Sequence, residues 1–118
     1  MAFAIEVIPD NANLFRRIHH THYDAKTGMV SSAAFRDDRL SVNWEKYSDA
    51  KSSADRNSVA VVALVSGGCK TFGQTVEHTP IEPNQPCGPN QAHTEVCGNK
   101  KGVISRQLRD IAKPVWFR

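Results

Sequence analysis

The chain has 118 residues, 40% of them hydrophobic and 23% charged, with a formal net charge of +3 and a sequence pI near 8.9. That length suits one domain, 1–118, around a single core, and the composition lies outside the disordered class. The mild positive balance permits contact with phosphate without being that of a polyanion-coating protein, and the longest apolar run, Val59 to Val65, is too short to cross a membrane as a helix.

Phe3, Ile5 and Val7 alternate with Ala4 and Glu6, which predicts a first strand that Pro9-Asp10-Asn11 ends. The same opening stretch has no basic region and carries Glu6 early, so no secretion signal is expected. Leu14 to Ile18 fits a second strand or a single helical turn. Asp24 to Gly28 reads as a turn, and Met29 to Phe35 leads back to the core. Leu40-Ser41-Val42 alternates as a short strand. Over 44–57 the spacing of Trp44, Tyr47 and Ala54 predicts a thin-faced helix capped by Asn43.

Ser58 to Ser66 is β-branched and continuous, the pattern of an interior strand covered on both faces. Ser66 to Gly73 fits a short helical turn ending in glycine. Gln74 to Thr79 alternates again. Residues 80–92 hold four of the six prolines and predict a long rigid loop. His93 to Cys97 reads as a last strand, and Asn99-Lys100-Lys101-Gly102 as a basic turn. Ile104, Leu108, Ile111 and Ala112 then recur at helical spacing until Pro114. The tail VWFR is expected to pack on the body or to form a small contact surface. The order predicts an α+β domain: a mixed sheet with helices on one side, a C-terminal helix and one or two further short helices.

Cys69, Cys87 and Cys97 are an odd set, and with no secretion signal they point to a reducing, cytoplasmic setting. A Cys87–Cys97 disulfide is the lesser alternative on spacing. A zinc shell from Cys87, His93 and Cys97 with His20 or His22 has suitable ligand types but lacks any CxxC spacing, so no metal site and no cofactor are expected. Cys69 follows Gly67-Gly68, but nothing in the sequence sets a base beside it, and core packing is the better reading.

Histidine carries the main chemical signal. His20, His22 and His93 are the candidate acid–base residues, because imidazole exchanges protons near neutral pH. Arg16, Arg17, Lys100 and Lys101 supply cations for a phosphate, and Ser66-Gly67-Gly68 is a weaker anion cradle. Ser31 and Ser32 lack a GxSxG elbow, and turn or capping roles compete with ligand contact.

The run LFRRIHHTHYDAKTGMVSSAAFRDDRLSVNW, with VALVSGGCKTFGQTVEHTP and NQAHTEVCGNKK later, resembles a group of small bacterial proteins that have no established activity. They share an Arg-Arg-x-His start, a Ser-Ser-x-Ala-Phe core, Leu-Ser-Val and a later Ala-His strand. The resemblance marks Arg17, Ser31, Ser32, Phe35, Ser41, His78 and His93. It implies no mechanism. Gln91 and Asn43 depart from it, standing where the group often has proline and aspartate.

The expected function is binding or processing of a phosphate-bearing ligand, a nucleotide or nucleic acid, with no membrane partner. Arg16, Arg17, Ser31, Ser32, Lys100 and Lys101 would bind it. His93 and His20 or His22 would exchange protons, and Arg17 would stabilise charge. The alternative is a non-enzymatic interaction module that docks on a protein partner or on a second copy through its tail.

Overall fold

The structure is a computed structural model and describes residues 3–118. Its main sheet has six strands: β1 (Asn13–His19), β4 (Arg39–Trp44), β5 (Ser58–Val65), β6 (Thr75–His78), β7 (His93–Cys97) and β8 (Lys113–Phe117). They lie in the order β6-β7-β4-β1-β5-β8, while β2 (Tyr23–Asp24) and β3 (Met29–Val30) form a separate hairpin. The fold is α+β. Every pairing is antiparallel, so the sheet is not the mixed one expected. No short helix here serves as the crossover that a parallel pair needs.

One face of the sheet makes the core. Leu14 and Ile18 of β1, Leu40, Val42 and Trp44 of β4, Ala60, Val62 and Leu64 of β5, and Val96 of β7 are buried together. α2 (Ser66–Thr71) and α3 (Val103–Ile111) cover them with Cys69 and Leu108. A 3-10 turn at Ser32–Phe35 adds Ala34 and the fully buried Phe35. The α3 stripe of Ile104, Leu108 and Ile111 meets this core, as its spacing requires.

The other face is only partly covered. Phe15, Val61 and Ala63 are buried under Ala50, Ala54 and Trp116. Ala50 belongs to α1 (Ala50–Ser53), a single turn capped by the Asp49 carboxylate, which accepts the Ser52 amide at 2.7 Å. The helices therefore do not all lie on one side. The 44–57 helix expected from sequence is shorter, starts from Asp49 rather than Asn43, and follows a 3-10 turn at Glu45–Tyr47. Trp44 is the end of β4.

Phe3 to Ile8 is not a ladder strand. It is an extended strap with Ile5 and Val7 exposed and Ile8 buried. The Phe3 amide donates to the Glu82 carboxylate, and the Glu6 amide donates to His78 Nδ1 at 3.0 Å. Nε2 of the same ring donates to the Gln91 carbonyl at 2.7 Å. His78 is thus a buried clamp that ties the strap and the proline-rich loop to the sheet edge. Both ring nitrogens are spent, and the ring packs against Trp44 and Tyr47. The tail that reads VWFR joins the body as β8, with Trp116 opposite Val61.

Candidate functional site

The partly covered face carries the odd-numbered positions of β1, β4 and β7, since side chains alternate across a strand. Phe15, Arg17, His19, Ser41, Asn43 and His93 share it. A cleft of about 360 Å³ sits there, floored by Phe15, walled by Ser53 of α1 and roofed by Ile81, Cys87 and Asn90 of the loop. Arg17, Ser41, Asn43 and His93 line its polar side. A second hollow of about 210 Å³ continues from it, lined by Arg16, Arg17, His19, His22, Asp37 and Asp55. Arg17, Ser41 and Asp55 line both, so the two hollows adjoin across these side chains and together make up the groove.

The groove exists because β1 and β4 part company. Their ladder pairs Leu14 with Trp44 and Phe15 with Asn43, and goes no further. Beyond it the Arg16 side chain spans the gap, with Nε donating to the Ala34 carbonyl and Nη1 to the Ser41 carbonyl, both at 3.1 Å. Burial lowers the Arg16 pKa from its ordinary value. Arg16 is therefore first a brace for the site, with its guanidinium at the groove wall.

His93 is held in one orientation. Its Nδ1 lies 2.8 Å from the Thr79 carbonyl and 3.0 Å from the Thr79 hydroxyl; the hydroxyl can take either part, but the nearer carbonyl can only accept, which favours the proton on Nδ1. The Thr79 amide in turn donates to the His93 carbonyl at 3.1 Å, fixing the pair. His93 Nε2 is left with its lone pair toward the Ser41 hydroxyl, 3.3 Å away. His19 has the opposite tautomer: its Nδ1 accepts the Thr21 amide at 3.2 Å, which puts the proton on Nε2.

Arg17 pairs with Asp55 at 3.3 Å, and both are about half exposed. The Ser58 hydroxyl, the Asn57 amide and Arg17 hold the Asp55 carboxyl below its usual range despite partial burial. An exposed pair of this kind is worth under about 1 kcal/mol, so Arg17 can exchange Asp55 for another anion at little cost. Asn43 and Asn90 are joined amide to amide at 2.9 Å, which fastens the loop to β4 beside His93.

The expected site residues divide. Arg16, Arg17, His22 and His93 line the groove. His20 is exposed, stacks on His19 and does not line it. Ser31 caps the 3-10 turn, accepting the Ala33 amide at 3.1 Å. Ser32 and Lys101 line a different hollow with Arg36 and Arg106, against α3. Lys100 is 1% exposed. Its ammonium donates to the carbonyls of Val96, Gly98 and Asp38 at 2.7, 3.2 and 3.1 Å, and burial lowers its pKa. It braces the turn after β7 and has no donor left for a ligand.

The cysteines are all free. Burial pushes the Cys69 thiol up to about 11, in keeping with core packing. Cys97 is also raised to about 11, by desolvation and by its hydrogen bond to Glu77. Among the described residues no three His, Cys, Asp or Glu side chains are grouped as metal ligands. No described helix is long and apolar enough to cross a membrane.

Asn43, Asp55, Thr79 and His19 were not expected in the site, and Ser41 was marked only by the resemblance, without a role. The alternation in LSVNW, with Leu40, Val42 and Trp44 as core, was the available signal for Ser41 and Asn43. Thr79 could not be found that way, since it reaches His93 across the β6–β7 edge through its main-chain carbonyl as well as its hydroxyl. No family model matches the chain, and the searches of curated proteins and of solved structures return no match either.

Proposed function

We propose that the groove binds a small phosphate-bearing ligand of nucleotide size. The observation that carries this is the gathering of Arg16, Arg17, His19, His22 and His93 around two adjoining hollows whose only lining acids are Asp37 and Asp55. Its larger part, about 360 Å³, falls within the usual range of ligand pockets. Arg17 is the natural phosphate contact, because its only ion-pair partner among the described residues is the half-exposed Asp55. The sugar and base would lie over Phe15, under Ile81 and Asn90. The three free thiols suit a reducing, cytoplasmic setting.

The test is titration with adenosine 5′-monophosphate and with a short single-stranded RNA, followed by amide and histidine NMR. Signals of Arg17, Ser41 and His93 shift, Arg17→Gln weakens binding about tenfold, and His20→Ala leaves it unchanged. Salt weakens the interaction, as charge neutralisation requires. Absence of shifts in the groove with both ligands refutes the reading.

A docking role is the second reading. β8 is an edge strand whose Val115 and Phe117 are about half exposed. Sedimentation analysis separates the two: self-association lost in Phe117→Ser, with a silent groove, favours docking.

A further inference from the structure

The groove holds a hydroxyl, an imidazole and a carbonyl in line. Ser41 donates toward His93 Nε2 at 3.3 Å, and His93 Nδ1–H is fixed on the Thr79 carbonyl at 2.8 Å. A hydroxyl next to an oriented base is the arrangement of an activated nucleophile, and such contacts are often a little long before a ligand binds. Three further facts set this one apart from an ordinary structural hydrogen bond. Both side chains open onto a cavity rather than into the core. The Ser41 main chain is pinned by Arg16, and the His93 main chain by Thr79. Arg17 lines the same cavity beside Ser41, where charge would develop on a substrate.

We propose that Ser41 is a nucleophile toward phosphate esters, with His93 as its general base. The substrate class rests on the phosphate-ligand reading above. In the first step the Ser41 Oγ–P bond forms and the hydroxyl proton moves to His93 Nε2. The P–O bond to the leaving alcohol breaks, and that alcohol takes its proton from His93. In the second step water attacks phosphorus, its proton goes to His93, and the Oγ–P bond breaks with the serine oxygen taking that proton back. The sum is hydrolysis of one ester bond, with water as the only co-reactant. Arg17 meets the negative charge on the phosphoryl oxygens in both steps.

An alkyl fluorophosphonate tests this directly, because attack by Ser41 expels fluoride and leaves a stable adduct. Intact-mass and peptide mapping of the unaltered protein show one adduct, on Ser41. Ser41→Ala takes none, and His93→Gln labels at least about a hundredfold more slowly, the usual contribution of a positioned base. The labelling rate falls with acid through a single ionisation, and this dependence vanishes in His93→Gln. No adduct on Ser41 in the unaltered protein overturns the proposal whether or not a variant folds well. Equal labelling rates in folded His93→Gln overturn it too. Adenosine monophosphate titration of the same samples keeps the outcomes apart: binding without labelling refutes the nucleophile and leaves the phosphate-ligand reading in place.

Discussion

Lys100→Met removes an ammonium group that sits 1% exposed among three main-chain carbonyls. The Asp38 carbonyl keeps a second donor, the Gly98 amide at 2.9 Å. The Val96 carbonyl likewise keeps the Leu40 amide of the β4–β7 ladder, so the Gly98 carbonyl bears the main loss. A buried acceptor stripped of its donor costs about 1–3 kcal/mol. Methionine fills much of the space and no longer has to bury a charge, which trims the upper end. The net loss is about 1–2 kcal/mol, a fall in Tm of roughly 4–8 °C for a domain of this size. Thermal unfolding followed by circular dichroism measures it, with Lys101→Met as the exposed control, expected to stay within about 0.5 kcal/mol of the parent. A Lys100→Met melt within 2 °C of the parent, a threshold of about 0.5 kcal/mol, refutes the bracing role and returns Lys100 to the solvent-facing part read for it from sequence.

The carboxyls of Glu6, Asp49, Asp55 and Glu95 are all held below their ordinary values of 3.8–4.5 by hydrogen bonds and neighbouring cations. The unfolded chain thus takes up protons first as pH falls, and stability drops from just above that range down through the folded values. Urea midpoints at pH 7, 5, 4 and 3 test this, and a midpoint that does not move between pH 5 and 3 contradicts it. At Gly88 an added Cβ would stand 2.0 Å from the Glu82 carbonyl oxygen. Gly88→Ala must therefore shift the loop, costing about 1–3 kcal/mol, and NMR titration with adenosine monophosphate should show weaker binding as Ile81 and Cys87 leave the cleft. Trp116→Ala uncovers Phe15 and Val61 and costs about 2–3 kcal/mol, whereas Phe117→Ser costs less than about 1 kcal/mol; chemical denaturation of the pair measures both.

Much of the sheet was legible as pattern. β5 announces itself by an unbroken apolar run rich in valine, and α3 by apolar residues at helical spacing before Pro114. The strap at Phe3 to Ile8 misled because alternation reports a half-buried ribbon only when a neighbour pairs with it. Here the Phe3 and Glu6 amides are taken by Glu82 and His78 instead. The site was half legible. His93 and Arg17 stand out by residue type in polar surroundings, yet their joining depends on where β1 and β4 stop pairing. That divergence is bridged by a guanidinium across a gap of 25 positions in sequence, which no local pattern encodes. Lys100 shows the converse. A Lys-Lys-Gly turn reads as solvated charge, and only the tertiary path of the chain folds the first lysine inward.

The alternation of β1, β4 and β7 has a consequence for how faithfully the chain must fold. A slip of β4 by one residue against its neighbours would turn Leu40, Val42 and Trp44 toward water and press Ser41 and Asn43 into the core. The same slip would carry Ser41 out of reach of His93. Burial of the apolar row and assembly of the groove are thus satisfied by the same alignment, and a misaligned chain forfeits both together. Sorting of correct from incorrect pairings is done by the oily side of the sheet, and the groove inherits its geometry without supplying the energy that selects it.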